Sequence, residues 1–152
     1  MKELNLPAYS FRLKDESDAK KLIFDEIRKK WLVLTPEEWV RQHFVKYLVT
    51  EKGYPAGLIG IEVTFKMNSL TRRADVLVYN RVGNPILIVE CKAPDVQIDN
   101  SVFDQIVEYN FKFKLGYLVV TNGIKHFACS LGGVEVPEYE FLDSIPEYDQ
   151  LM

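Results

Sequence analysis

Two apolar runs joined by a short polar turn constrain the fold of this chain more than any other feature. The runs cover residues 76–79 and 85–89, and the turn between them contains Gly83. Apolar, β-branched runs around a glycine-containing turn of this length are typical of a β-hairpin. Both faces of each run are apolar, which is the pattern of strands covered on two sides in an α/β sheet.

The register of this hairpin predicts that two carboxylates lie side by side. A four-residue loop makes Asn80 face Pro85. Counting back five positions on each arm places Asp75 opposite Glu90, where the Cβ atoms are about 4.5–5.5 Å apart. Strand side chains alternate, so Lys92 is expected on the same face as Glu90. These three charged side chains are therefore predicted to converge.

Two opposed carboxylates destabilise a sheet unless something neutralises their charge. A divalent cation, together with the ammonium group of Lys92, would do so. The alternative is a pair of exposed strand-end carboxylates with the lysine extended beside them. The apolar neighbours on both faces favour the first interpretation, because charges inside a buried sheet require partners.

The chain has the size and composition of one soluble domain, with 152 residues of which 47% are hydrophobic. We expect a single domain over residues 1–152, with a core at about residues 22–130 and an acidic tail at about residues 134–152. No stretch approaches the roughly 18 uninterrupted apolar residues of a membrane span, and the charged start lacks the apolar core of a signal peptide. These features predict a cytoplasmic protein without a membrane segment.

Charge is distributed unevenly along the chain. All 19 lysines and arginines lie at or before Lys125, and six of the 22 acids follow it. The first 125 residues therefore carry a formal charge of +3, although the whole chain carries −3. A mildly basic body is compatible with phosphate binding without requiring it.

The first helix is predicted from its N-terminal signals. Thr35 suits the N-cap, Pro36 the first helical position, and Glu38 the place at which a capping box puts its carboxylate. Apolar residues follow at helical spacing, and Gly53 ends the element.

Short apolar runs predict further strands at residues 22–25, 31–34, 58–65, 117–120 and 124–129. Asn122-Gly123, between the last two runs, is a two-residue hairpin signal. A second helix can be capped by Asn100 or Ser101 and closes before Gly116.

The order of these elements and five short motifs resemble the PD-(D/E)XK restriction-endonuclease-like superfamily. More narrowly, the chain resembles the N-terminal nuclease domain of the restriction (R) subunit of type I restriction enzymes. Ala74 stands where that superfamily often has a proline before the first aspartate. The motifs that carry the resemblance are Pro36-Glu37-Glu38-Trp39-Val40-Arg41-Gln42, Arg73-Ala74-Asp75, Ile88-Val89-Glu90-Cys91-Lys92-Ala93-Pro94, Gln105-Ile106-Val107-Glu108-Tyr109 and Thr121-Asn122-Gly123.

The resemblance implies an α/β (α+β sandwich) fold with a central mixed sheet flanked by helices, and a Mg²⁺-dependent DNA endonuclease. Mn²⁺ is the alternative cofactor. Asp75 and Glu90 would be metal ligands, with the backbone carbonyl of Cys91 as a third ligand. Lys92 would orient the attacking water and stabilise charge on the phosphate.

Several further roles follow from the resemblance, each beside a structural alternative. Glu38 would reach the metal through water, or would serve only its capping box. Arg41 and Gln42 would be surface or substrate-positioning residues. Gln105 and Tyr109, four apart on the second helix, would orient the site or the DNA, or would form a polar stripe at the edge of the core. Arg72, Arg73, Lys112 and Lys114 would contact backbone phosphates, or would be solvated charges.

A second function class stays open beside the nuclease, namely a noncatalytic nucleic-acid-binding or assembly module on the same fold. No GxxxxGK[ST] phosphate loop is present, so a nucleotide hydrolase has little support. Type I restriction subunits join such a nuclease to a motor that 152 residues cannot hold. We therefore expect a stand-alone relative, an excised domain, or a component that works with restriction-modification or motor subunits, with a homodimer as an open alternative.

Overall fold

The computed structural model describes residues 1–151, which form two β-sheets and two α-helices. A three-stranded sheet precedes the first helix, and a six-stranded sheet contains the predicted hairpin. In chain order the elements are β1 (Leu13–Glu16), β2 (Lys20–Asp25), β3 (Lys30–Val33), α1 (Pro36–Glu51), β4 (Ile59–Met67), β5 (Leu70–Tyr79), β6 (Pro85–Cys91), α2 (Asn100–Phe111), β7 (Tyr117–Thr121), β8 (His126–Gly132) and β9 (Glu138–Phe141).

The large sheet has the strand order β4-β5-β6-β7-β8-β9. Its neighbours are antiparallel except β6 and β7, which are parallel and joined by α2. One apolar cluster contains Phe44 of α1 together with Val76 and Val89, and a second contains Phe103 of α2 together with Leu77. Successive strand residues thus face opposite helices, and the predicted α+β sandwich with a central mixed sheet is confirmed.

The predicted start of α1 is confirmed, and that of α2 is shifted by a residue. Thr35 accepts a hydrogen bond from the backbone N–H of Glu38 at 3.0 Å, and Pro36 occupies the first turn. The cap of α2 is Asp99, not Asn100 or Ser101, because its Oδ1 accepts from the N–H of Val102 at 2.9 Å. Neither helix of the described chain is long and apolar enough to cross a lipid bilayer.

The central hairpin has the predicted register through its interior, where Val76 pairs with Val89 and Leu77 with Ile88. The prediction that Asn80 faces Pro85 is wrong, since Tyr79 pairs with Pro85 after a shift in register. Residues 80–84 therefore form the loop, which is one residue longer than predicted, and Asn80 stabilises it because its Oδ1 accepts from the backbone N–H groups of residues 82 and 84.

The turn between β7 and β8 is longer than the predicted two residues. Thr121 pairs with His126, so residues 122–125 form the loop. Asn122 stabilises it by accepting from the N–H groups of residues 124 and 125 at 2.9 and 2.8 Å. Gly123 has a φ of +84°, and a Cβ there would lie 2.7 Å from the Leu4 side chain. A larger residue here would adopt a strained positive φ and would also force the Leu4 side chain to move, so glycine is favoured.

The acidic C-terminal segment packs onto the body of the protein. Residues Glu138–Phe141 form β9 and pair with β8. Ile145 and Tyr148 are buried in the α1-side cluster, and the Tyr148 hydroxyl donates to the carbonyl of Tyr79 at 2.9 Å. The apolar residues of this segment therefore contribute to the core although its net charge is negative.

Candidate active site

A cleft opens where the N-terminus of α1 meets the middle of β4, β5 and the end of β6. Four carboxylates lie in its wall, so the cleft is acidic. Its lining consists of Thr35, Pro36, Glu37, Glu38, Arg41, Glu62, Asp75, Cys91 and Ala93.

Asp75 projects from β5 and is fixed by the neighbouring strand. Its Oδ2 accepts a hydrogen bond from the backbone N–H of Cys91 at 2.8 Å. The Cys91 thiol is buried, and burial followed by the negative charge of Asp75 raises its pKa well above the ordinary value. This cysteine is therefore an uncharged packing residue, and it is the Asp75 carboxylate that faces the cleft.

The strand pairing is interrupted opposite Asp75. Ile61 pairs with Val76 and Val63 with Ala74, but Glu62 between them has a φ of +50°. Ile61 packs in the cluster below α1, whereas Val63 packs against the cluster below α2. Ile61 and Val63 therefore point to opposite faces of the sheet, although regular alternation would put both on the same face. Residues held in this backbone region cost about 1–3 kcal/mol and concentrate at functional sites.

Glu90 does not point into the cleft. Among the described residues it contacts Arg72, with which it forms an ion pair. The Arg72 guanidinium lies 4.8 Å from the ring centre of Tyr109 and donates to Asn110 Oδ1 at 3.3 Å, both on α2. The pairing of β5 with β6 ends at Val76 and Val89, before Asp75 and Glu90, and the Glu90 carboxylate is directed towards the α2 side of the sheet.

Lys92 lies beyond the last residue of β6, so strand alternation does not set its direction. Its backbone N–H donates to the carbonyl of Thr121 at 2.8 Å, which ties this segment to β7. The positive charge of its ammonium acts on Glu37, where it opposes the overall rise in the pKa of that carboxyl. Asp75 therefore lines the cleft and the charge of Lys92 acts on Glu37 there, whereas Glu90 is not among the residues that line the cleft.

Glu37 is a cleft residue that the sequence analysis missed. Burial raises its pKa, and the negative charge of Asp75 raises it further, against the opposing effect of Lys92. It occupies the first turn of α1, where the helix dipole stabilises a negatively charged carboxylate. The sequence contains two adjacent acids, Glu37-Glu38, but the capping pattern singles out only the second of them.

Glu38 belongs to a buried ion network. Arg41 donates to its Oε1 at 2.8 Å, and Gln42 donates to its Oε2 at 2.9 Å. Arg41 also reaches Asp25 of β2 at 3.2 Å, and Asp25 accepts from Arg28 at 2.8 Å. The interpretation of Arg41 and Gln42 as surface residues is wrong, because both are buried and hold Glu38.

The pKa values within this network follow from its ion pairs. Burial by itself would raise the pKa of Asp25, but hydrogen bonds from Arg28 and the charge of Arg41 hold it below 3.8. Burial would lower the pKa of Arg41, but the hydrogen bond and charge of Glu38 raise it above the ordinary value. Each charge is therefore stabilised by its neighbours, and the network links the small sheet to the start of α1.

The remaining predicted site residues lie at the surface around this region. Gln105 and Tyr109 are exposed on α2. Tyr109 stacks on Arg72, and Arg73 is exposed and paired with Glu62 at the rim of the cleft. The structure thus separates the α2 stripe from the cleft by the width of the sheet.

The donor chemistry of the cleft fits Mg²⁺. Residues 1–151 contain no group of three His, Cys, Asp or Glu side chains close enough to form a metal cluster by themselves. Mg²⁺ does not require one, because it binds through one or two carboxylates and retains several waters that substrate phosphates can replace. Asp75 and Glu37 are hard oxygen donors, and the repulsion that raises the pKa of Glu37 is one that a cation would relieve.

The chain matches the model of a known protein family. A protein-family model described as "Type I restriction enzyme R protein N terminus" matches residues 36–146, which is more than half of the chain. The matched segment begins at the first residue of α1 and includes every cleft residue except Thr35, together with the central hairpin, α2 and β9. No curated protein matches the chain.

Proposed function

The chain belongs to the family of type I restriction enzyme R protein N termini, and from this premise we propose that it is a Mg²⁺-dependent nuclease domain that hydrolyses DNA phosphodiester bonds. The observation that carries the proposal is the acidic cleft lined by Asp75 and Glu37, in which the positive charge of Lys92 acts on Glu37. Carboxylates beside a cation are the groups that phosphodiester hydrolysis requires.

The residues of the cleft have separable roles in this proposal. Bound Mg²⁺ would polarise the phosphate and lower the pKa of an attacking water. Asp75 would supply a ligand oxygen, and its hydrogen bond from the N–H of Cys91 keeps the carboxylate in one orientation. Lys92 would stabilise the negative charge that develops on the phosphate. Glu90 and the carbonyl of Cys91 remain predicted ligands, and Glu38 acts through the placement of α1.

A cleavage assay tests the proposal directly. The protein is incubated with linear, circular and single-stranded DNA and with RNA, in Mg²⁺, in Mn²⁺ or in EDTA. We expect Mg²⁺-dependent cleavage of DNA, and a loss of at least about 100-fold in Asp75→Asn and in Lys92→Met, the size of effect seen when one charge-stabilising group is removed. Glu108→Gln, an exposed acid on α2, is the matched control and should cleave normally. Unchanged cleavage in both cleft variants would refute the assignment.

The alternative is a noncatalytic nucleic-acid-binding or assembly module. The ion pair between Glu90 and Arg72 favours it, because a carboxylate neutralised by arginine is not free to bind a metal. Calorimetric titration with Mg²⁺ separates the two functions. A nuclease should bind Mg²⁺ in a manner that Asp75→Asn weakens, whereas a module of this kind should show no binding that depends on a carboxylate.

The family places the chain in a restriction-modification context. The proposal includes DNA as the bound substrate, with contacts from Arg73 and Gln105 to the DNA backbone. It also includes association with motor subunits or with a second copy of this chain. Arg73→Ala should weaken DNA binding and reduce its dependence on salt, because each phosphate contact releases counterions. The anisotropy of labelled DNA, measured in EDTA at two salt concentrations, reports DNA binding and its salt dependence without cleavage.

A further inference from the structure

We propose that Arg72 is a positioning residue that holds the Glu90 carboxylate on the α2 side of the sheet and competes with a divalent cation for it. The inference rests on the proposed function, because it concerns a carboxylate expected to bind the metal. It also assigns a role to Tyr109 and Asn110, which act on Glu90 through Arg72 and need not touch DNA.

Several groups hold the Arg72 guanidinium, and the backbone carbonyl of Arg73 is one of them. The guanidinium also forms the ion pair with Glu90, donates to Asn110 Oδ1 at 3.3 Å, and lies 4.8 Å from the ring centre of Tyr109. The side chains of Arg72 and Glu90 are only 8% and 14% exposed. Water therefore screens this pair weakly, and its charges influence each other more than an exposed pair would.

The two residues of α2 that contact Arg72, Asn110 and Tyr109, are themselves held in place. Asn110 is fully buried, and its Nδ2 donates to the carbonyl of Ile106 one turn earlier at 2.9 Å, which leaves Oδ1 directed at Arg72. Tyr109 packs against Phe113 with ring centres 5.9 Å apart. Both partners are anchored on the helix, so α2 supplies Arg72 with contacts in addition to its ion pair with Glu90.

Two consequences follow for metal binding. A carboxylate paired with a guanidinium must give up that partner, or share it, before it can bind a cation. Removing Arg72 should therefore tighten the binding of Mg²⁺, since Glu90 would then be a nearly buried charge without a partner, and a cation would supply one. A residue that only supported the fold would lower stability and leave the affinity for Mg²⁺ unchanged.

The experiment is a calorimetric titration of the whole chain with Mg²⁺ in the absence of DNA. We expect Arg72→Ala to bind Mg²⁺ about 5- to 150-fold more tightly than the unmodified protein, the usual range for coupling between two sites. Arg72→Lys should give a smaller gain, because it keeps the charge but loses the planar fork. Arg81→Ala is the matched control, since Arg81 is exposed and stacks on Tyr148 at 5.3 Å, and its affinity should not change.

Further variants make the outcome decisive. In a Glu90→Gln background the Arg72→Ala gain should disappear, because the carboxylate for which the two cations compete is absent. Unchanged or weaker Mg²⁺ binding in Arg72→Ala, while Glu90→Gln itself weakens binding, overturns the inference and leaves the proposed function standing. If neither Asp75→Asn nor Glu90→Gln alters Mg²⁺ binding, the proposed function fails as well. Should Arg72→Ala not fold, Arg72→Lys and Tyr109→Leu carry the same test, and both must show tighter binding.

Discussion

Replacing Arg41 with methionine should destabilise the protein strongly, because it removes the central cation of a buried network. Methionine retains most of the length of the side chain, so the change is mainly in charge. Arg41 is 4% exposed, and its partners Asp25 and Glu38 are 2% and 9% exposed. Removing one partner of a buried ion pair costs about 3–5 kcal/mol, since it leaves an uncompensated charge.

The structure places the expected cost at the lower end of that range. Asp25 keeps its hydrogen bond from Arg28 at 2.8 Å, and Glu38 keeps that from Gln42 at 2.9 Å. We therefore expect a loss of about 3 kcal/mol in the free energy of unfolding, which lowers the melting temperature by about 6–12 °C for a chain of this size.

The loss should depend on pH with a defined sign. The pKa of Asp25 in the folded protein lies below 3.8, and Arg41 contributes to that shift. Asp25 therefore stabilises the fold above about pH 3.8, and this stability disappears as the pH falls through its folded pKa. The deficit of the Arg41→Met variant should be largest near pH 7 and should shrink below about pH 4, where the carboxylates become protonated.

Urea unfolding at pH 7 and at about pH 3.5, followed by far-UV circular dichroism, measures both quantities. Glu38→Gln combined with Arg41→Met should cost less than the sum of the single changes, because the two residues are in contact. A deficit below about 1 kcal/mol that is equal at both pH values would refute the reasoning, since it would mean that these charges are already well solvated.

Three further predictions test other parts of the structure. Gly123→Ala should lower the urea midpoint, because the residue has a positive φ and the new Cβ would lie 2.7 Å from Leu4 and 3.1 Å from Val40; a midpoint equal to that of the unmodified protein would contradict this. Tyr148→Ala should destabilise the fold by about 3–5 kcal/mol, as large-to-small changes of buried aromatics do, and a loss below about 1 kcal/mol would show that the acidic segment is dispensable. Glu37→Gln should raise the urea midpoint at pH 7 but not at pH 4. The pKa of Glu37 is raised in the folded protein, so the unmodified protein loses stability as the pH rises above the ordinary value of 4.5. A lower midpoint at pH 7 would contradict the raised pKa.

Local patterns were sufficient to predict most of the elements and the path of the central hairpin. The N-cap at Thr35 is confirmed because such a cap depends on residues three positions apart. The register that sets Val76 against Val89 is confirmed because burial on both faces leaves little freedom to slip. Strand β1 was missed, since all four of its residues are exposed and it has no apolar pattern.

The candidate site was predicted less completely. Asp75 lines the cleft and the charge of Lys92 acts on Glu37 there, but Glu90 is paired with Arg72, and the α1 acid whose pKa Asp75 raises is Glu37. Neither outcome could be read from spacing. Alternation describes a regular strand, whereas β6 ends before Lys92 and the pairing of β4 with β5 breaks at Glu62.

By itself, the sequence determined which segments become helix and strand, because caps, turns and apolar periodicity act between residues a few positions apart. Only the tertiary structure decided which charged side chains meet partners on distant elements. Arg72 meets Asn110 from 38 positions away, and Arg41 meets Asp25 from 16. A buried carboxylate turns towards the cation that can neutralise it, and that cation is supplied by whichever distant element the fold packs beside it.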